Sequence, residues 1–410
     1  MFGWEFAPSM SGGLGTACYG LTEGLVDAGV NILFVMPGTP FDSKRDDLQI
    51  IGDSHFPNAS GNRGEERGFM RMKPAGVLLG PYMTNRSYRT DTAAGNGAMF
   101  GSTATERYGE DIYQEVSRYA KRARSIAEGE EFDIVHVHDW MAFPAGIAVK
   151  EMRDVPLVVH VHSLESDRTP LRIDEWVYGI ERFGMKAADH IIAVSSYTKK
   201  KIVEQYDIAP EKISVVYNAV FPVKQRENSR RSDDRKQVLF LGRLTTQKGP
   251  GYFLEMARHI MAMDPDIRFI VAGDGDLTAR LKEQAVSLNL ENHVRFTGFL
   301  DGPEVAHIYG ASDLYVMPSL SEPFGITALE AIMYDVPVIL SRQSGVTEIL
   351  KRAPAIDFWE TDEWATNSIA ILYDKDMRNR IIRNCREDMA GLSWQRATDD
   401  VVAIYRRLAA

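Results

Sequence analysis

Short apolar runs alternate with amphipathic stretches of helix length along nearly the whole chain. This is the pattern of parallel strands covered by helices on both faces. In the first half the runs predict strands at residues 2–6, 31–36, 133–138, 157–162, 190–195 and 214–217. In the second half they predict strands at 237–241, 268–272, 294–296, 313–318 and 337–340. Residues 223–236, without an apolar side chain from Lys224 onward, read as a linker or exposed loop between the halves. The alternation fails from about Asp42 to Thr105, a stretch rich in Gly, Asn, Arg and Ser that predicts a long insertion on the cleft side of the first unit. Within it Pro81, Tyr82, Met83 and Tyr88 either stack against an acceptor or pack the loop onto its own domain. The expected architecture is α/β, with Rossmann-like parallel-sheet domains at 1–222 and 237–394 facing across a cleft and ligands bound beyond the carboxyl ends of the strands.

Length and composition agree with this. A chain of 410 residues exceeds the roughly 250–300 at which single cores stop growing. Hydrophobic residues at 44% and charged residues at 25% are the usage of an ordinary globular protein. A net charge of -10 argues against a nucleic-acid partner. No apolar stretch approaches the roughly 20 residues of a membrane helix, and no leader precedes Gly3, so no integral membrane segment and a cytoplasmic location are expected. The first strand is short, as a trimmed or misassigned start at Met1 would make it. Cys18 and Cys385 are far apart and belong to no CxxC or Cys/His cluster, which predicts buried free thiols and neither a disulfide nor a metal site.

Three strand-to-helix loops carry candidate chemistry. In the run 319–330, Glu322 and Glu330 flank Pro323-Phe324-Gly325 between an apolar strand and a helix at 327–334. The N–H groups of Gly325, Ile326 and Thr327 would meet a phosphate, Glu322 hexose hydroxyls, and Glu330 both hydroxyls of a ribose. After the strand at 237–241, Arg243 and Lys248 share one loop before a helix that begins near Pro250. Two cations there suit the growing charge of a diphosphate leaving group. In the first half, Gly12 and Gly13 lie in a glycine loop before a helix at 17–28, where a ligand can approach the backbone. A dinucleotide dehydrogenase fits that loop poorly, because the third glycine and an acidic residue after the second strand are missing.

Alternation places His136 with His138, and His160 with His162, on common faces. His138 and His162 lie nearest the cleft, as hydrogen-bonding partners for sugar hydroxyls rather than metal ligands, while His136 and His160 read as satisfied core histidines. Gly273-Asp274-Gly275-Asp276 reads as a turn with Asp276 capping the next helix.

Jointly these residues resemble the retaining GT-B glycosyltransferases, in particular the glycogen/starch synthase-like members of families four and five. The resemblance rests on Ser11 to Gly15, His138-Asp139-Trp140, His162, Asn218, Arg243 with Lys248-Gly249, and Glu322 with Glu330. It implies that Arg243 and Lys248 hold the diphosphate, that Glu322 with the Phe324-Gly325 backbone holds the hexose, and that Glu330 holds the ribose. It also implies that His162 and Asp139 face the transferred sugar, and that a last helix at 395–410 crosses back onto the first domain. Synthases of the ADP-glucose type usually carry a lysine where Met10 stands, so ADP-glucose and UDP-glucose both stay open as donors.

The activity so implied moves a glucosyl unit to an α-glucan or other saccharide acceptor with retention. It needs no cofactor or metal, because positioning and the two cations supply the catalysis. The alternatives are transfer to an exopolysaccharide or lipid-linked sugar, and, from other classes, a sugar-nucleotide epimerase or a silent sugar-nucleotide binding protein.

Overall fold

The computed structural model describes residues 1–6, 12–38, 49–51, 68–77, 79, 111–222 and 235–410. Met10, the residues Pro81, Tyr82, Met83 and Tyr88, and all but the end of the 223–236 linker lie outside the described residues.

The first unit is built on parallel strands whose Val, Ile and Leu side chains are buried on both faces. β1 (Ile32–Met36) pairs with β3 (Met70–Pro74), and β2 (Gln49–Ile51) runs antiparallel on the far side of β3. β4 (Val135–His138), β5 (Leu157–Val161), β6 (His190–Ala193) and β7 (Ile213–Val215) follow in parallel. The predicted strand at 2–6 shrinks to a bridge at Phe2, which pairs with Val35 on one side and Val137 on the other and so joins the two groups. Gly3 still donates to Val35 O at 3.2 Å, but its own carbonyl accepts from the buried Tyr119 hydroxyl at 2.9 Å instead of continuing a ladder. β2 and β3 are strands that the weak periodicity of 42–105 did not predict.

The second unit has six parallel strands: β8 (Gln237–Leu241), β9 (Arg268–Ala272), β10 (Val294–Gly298), β11 (Leu314–Met317), β12 (Val338–Ser341) and β13 (Ala355–Ile356). Their spatial order is β10-β9-β8-β11-β12-β13. Numbered along this unit, that is 3-2-1-4-5-6, so the order reverses between β8 and β11 and opens a crevice at their carboxyl ends. The loops carrying Lys248 and Glu322 leave the sheet at that point.

Each unit has its own apolar core. The terminal helix Trp394–Ala409 belongs to the first core through Ala397, Val401 and Ile404, and packs along the helix Gly13–Asp27. Close approach is possible because Gly20 and Gly24 present no side chain to Trp394 and Thr398. The helix Gly13–Asp27 begins four residues earlier than predicted, so Gly13 and Gly15 are helical and the glycine loop ends at Gly12.

Candidate active site

On the second unit, the Gly242–Gly249 loop turns back tightly under the loop that follows β11. Gly249 has φ +68°, and a Cβ there would lie 2.1 Å from the Pro318 carbonyl oxygen, so only glycine permits both the left-handed turn and the approach. The turn delivers Lys248 to Glu322: Nζ lies 2.6 Å from Oε2, and the Ser319 hydroxyl donates to the same oxygen at 3.2 Å. The backbone of Glu322 is fixed on both sides, its N–H donating to Gln343 O at 2.8 Å and its carbonyl accepting from Gly345 N–H at 2.9 Å.

The helix Ile326–Met333 starts directly afterwards, with Gly325 in a left-handed conformation at its N-cap. The first N–H groups of any helix have no intrahelical acceptor, so this terminus is suited to an anion. Phe324 and Ile326 are buried beside it, and the Thr327 hydroxyl accepts from Tyr315 at 2.8 Å. Glu330, one turn in, has its Oε2 3.1 Å from the Tyr309 hydroxyl. Burial pulls its carboxyl up and the Tyr309 hydrogen bond opposes that.

Across the cleft, His136 and His138 of β4, His160 of β5 and His162 just after it form a stacked block. His136 and His138 rings are 4.5 Å apart and nearly parallel, and His160 and His162 rings are 4.2 Å apart. His136 Nε2 lies 3.3 Å from His160 Nδ1, and His138 Nδ1 lies 3.0 Å from His162 Nε2. Burial drives all four imidazoles well below their ordinary pKa, His162 to about 3, so the block is neutral at pH 7. Asp139 follows His138 with φ 58°. Its Oδ1 accepts the N–H groups of His162 at 2.7 Å and Ser163 at 3.2 Å, which locks the turn after β5. Burial lifts its pKa to about 7, against the pull of Arg168 and these two N–H groups. Asn218 is buried just past β7, and a Cβ on Gly13 would meet open space.

Glu5 is a buried carboxyl at the edge of the site that sequence reasoning did not single out. It accepts from the N–H groups of Gly12 and Gly15. A Cβ on Gly12 would lie 2.0 Å from Glu5 Oε1, so Gly12 is needed to make room for a carboxylate of its own chain. Burial raises the Glu5 pKa to about 7, and the positive charge of Arg243 on the second unit is the strongest opposing influence. The signal for it was a lone acid inside the apolar run 2–6, immediately before the glycine loop.

Polar contacts tie the two units together. Glu348 accepts from the N–H groups of Ser196 at 2.9 Å and Tyr197 at 2.7 Å, capping the helix Ser196–Tyr206 from the other unit, and accepts from Tyr217 at 2.9 Å. Ser195 donates to Pro323 O at 2.6 Å. Ser321, next to Glu322, donates to Asp167 at 2.6 Å and lies 2.9 Å from the Tyr197 hydroxyl, while Lys201 pairs with Asp167. The Asp276 cap is corrected: Asp274 instead accepts from Gly275 N–H at 2.8 Å and Thr278 Oγ1 at 2.6 Å, because the helix starts two residues after Asp276, beyond its reach.

Two Rossmann-like parallel-sheet units make the GT-B fold, and two glycosyltransferase family models between them cover most of the chain. The chain belongs to the GT-B glycosyltransferases. Residues 223–388 match the family described as Glycosyl transferases group 1, and residues 104–222 match Glycosyltransferase Family 4. An uncharacterized glycosyltransferase of Methanocaldococcus jannaschii is 28% identical over 99% of this chain and 97% of its own length. The UDP-Gal:alpha-D-GlcNAc-diphosphoundecaprenol alpha-1,3-galactosyltransferase of Escherichia coli is 28% identical over 68% of this chain and 76% of its own. Among solved structures, sucrose-phosphate synthase from Thermosynechococcus elongatus superposes with a TM-score of 0.75 at 19% identity, covering 99% of this chain and 98% of that one.

Proposed function

We propose that this glycosyltransferase moves a glucosyl unit from a nucleoside-diphosphate glucose to a saccharide hydroxyl with retention of configuration. The observation that carries the reading is the Lys248–Glu322 pair at 2.6 Å beside the N-terminus of Ile326–Met333. Glu322 is oriented by Ser319 and by its own backbone contacts, and presents its carboxylate where a sugar attached to that diphosphate would lie. Lys248 and Arg243 neutralise the charge that develops as the glycosidic bond breaks. The diphosphate oxygen takes the acceptor's proton on the face it leaves. Asp139 is assigned a positioning role in this scheme, its Oδ1 holding the turn after β5 through the N–H groups of His162 and Ser163. His138 and His162, neutral, offer hydrogen bonds to sugar hydroxyls. The steps draw on no metal or cofactor.

An α-glucan is the first acceptor to test. A lipid-linked sugar is the second, favoured by exposed apolar side chains on the first unit: Leu171 at 83%, Phe183 at 63%, with Ile173 and Trp176 between them. The E. coli relative, a galactosyltransferase from UDP-Gal to a GlcNAc-diphosphoundecaprenol, points the same way.

The deciding experiment supplies ADP-glucose and UDP-glucose, each with maltooligosaccharide or with a lipid-linked sugar, and reads the anomeric configuration of the product by NMR. An α-linked product that disappears in Glu322→Ala supports the reading. An inverted product, or transfer undiminished in Glu322→Ala, would overturn it.

A further inference from the structure

We propose that Glu5 is a positioning residue for the donor: its carboxylate holds the Arg243 guanidinium across the cleft, and a nucleoside diphosphate that takes Arg243 leaves Glu5 to bind a proton instead. Arg243 meets the diphosphate in the function proposed above, and this role for Glu5 rests on that reading.

The geometry begins at the glycine loop. The helix Gly13–Asp27 has Gly12 at its N-cap, where no side chain accepts from its first N–H groups, and no acidic residue stands in its first turn. Glu5 supplies the missing cap from outside the helix, accepting from the N–H groups of Gly12 and Gly15. Its Oε1 is pressed against Gly12, where a Cβ would come within 2.0 Å of it. Its Oε2 is buried and has no hydrogen-bond partner, although the residue is only 1% exposed. Buried polar atoms are seldom left so.

The cation that answers this carboxyl lies on the other unit. Arg243 follows β8 directly, and its neighbours pin the backbone there: Gly242 N–H donates to Ala272 O and Leu244 N–H to Asp274 O, both at 3.0 Å. From that place its charge is the strongest influence opposing burial at Glu5. Lys248, in the same loop, gives its charge to Glu322 at 2.6 Å within the second unit. The two cations of the loop therefore have different resting partners, one on the donor side and one across the cleft.

The other groups facing Glu5 do not replace Arg243. Asp139, after β4, repels an ionised Glu5, and its own carboxyl is lifted by burial to about 7 against the pull of Arg168. Cys18, on the helix Gly13–Asp27, is kept a neutral thiol by burial and by both carboxyls. His138 and His162, beside Cys18, are neutral imidazoles. A diphosphate on Arg243 offsets its charge, so burial at Glu5 is then opposed only by the two backbone N–H groups, and the carboxylate takes one proton from solvent. No bond of the donor breaks in this step. Because binding takes up a proton, donor affinity is highest below pH 7 and falls as the pH rises above it.

The test has two arms, both on the full chain. The first needs no donor: with 13C-labelled glutamate carboxyls, the Glu5 signal, assigned by its loss in Glu5→Gln or its displacement in Glu5→Asp, should titrate near 7 and move up by about one pH unit or more in Arg243→Gln. A Glu5 signal that Arg243→Gln does not move would overturn the pairing. The second titrates ADP-glucose and UDP-glucose calorimetrically at pH 7.5 in two buffers of different ionisation enthalpy. The parent should take up a large fraction of one proton, and its Kd should rise about threefold or more from pH 7 to pH 8.5. Glu5→Gln should bind the same donor without proton uptake and with a flat Kd, and Arg243→Gln should also lose the uptake, which serves if Glu5→Gln does not fold. Donor binding without proton uptake, after the first arm has shown the pairing, would overturn the exchange and the placing of the diphosphate at Arg243. Failure of both donors to bind would overturn the donor reading alone, since the first arm decides the pairing without them.

Discussion

The histidine block makes a quantitative prediction for acid stability. Unfolding exposes His136, His138, His160 and His162, which then take up protons at the ordinary value of 6.5, while in the folded chain burial keeps them neutral. Groups whose folded pKa is depressed as bases contribute stability that is present above 6.5 and lost as pH falls below it. Between pH 7.5 and 5 each costs about 2 kcal/mol, about 8 kcal/mol for the four. Glu5 and Asp139 work the other way. Their folded pKa near 7, against ordinary values of 4.5 and 3.8, makes folding costly at high pH, and acidification relieves about 5 kcal/mol of that cost over the same interval. The six groups together leave the protein about 3 kcal/mol less stable at pH 5 than at pH 7.5. His190, held down to about 4 chiefly by burial, deepens the loss. The cleanest perturbation is His160→Gln, which removes one titrating group and should shrink the difference by about 2 kcal/mol relative to the parent. Urea unfolding at the two pH values, in EDTA and followed by hydrogen exchange in β4 and β5, measures it. A parent as stable at pH 5 as at pH 7.5, with His160→Gln unchanged between them, would refute the neutral block.

Other substitutions probe the remaining contacts. Gly24→Ala would put a Cβ 2.0 Å from Thr398 Oγ1 in the interface with the terminal helix, so a loss of about 1–3 kcal/mol and faster proteolytic cleavage near Trp394 are expected, readable by thermal melts and limited digestion. Glu348→Ala leaves the N–H groups of Ser196 and Tyr197 uncapped and should cost about 1–2 kcal/mol, with X-ray scattering showing a wider spread of domain separations. Lys248→Ala should lower kcat by roughly 100-fold or more with a far smaller change in donor Kd, since its charge matters most as the diphosphate leaves; an equal loss in Kd would place it in ground-state binding instead.

Much of the fold was legible because buried parallel strands write themselves as apolar runs, and β4, β5, β6, β8, β9, β11 and β12 fall close to the predicted positions. The Phe2–Phe6 run misled for a specific reason: Glu5 is buried among Trp4 and Phe6, so the segment looks like a strand while its backbone is bent to serve a carboxylate. The shared faces of the histidine pairs followed from strand alternation. Their partners across the strands did not, since register is a tertiary property. Glu348, Asp167, Lys201 and Tyr197 carried no signal at all, because each is an ordinary polar residue of a helix or turn until the other unit is placed against it. Cys18 and Cys385 are buried free thiols, as their distance in sequence and the lack of a CxxC or Cys/His motif predicted.

The two walls of the cleft differ in a way that bears on which fragment stays where. The first unit offers uncharged imidazoles and two carboxyls whose burial raises them toward neutrality. The second offers Arg243, Lys248 and a helix terminus, all favouring negative charge. On the function proposed above, the diphosphate would stay with the second wall and the transferred sugar would meet largely uncharged groups on the first. Glu348, Ser195 and Ser321 clasp the two walls with hydrogen bonds, and beside them Val194 joins the second unit's core while Tyr217 and Val220 pack against it. Opening the cleft therefore exchanges polar bonds for water and also exposes apolar area, so the closed arrangement is held by both.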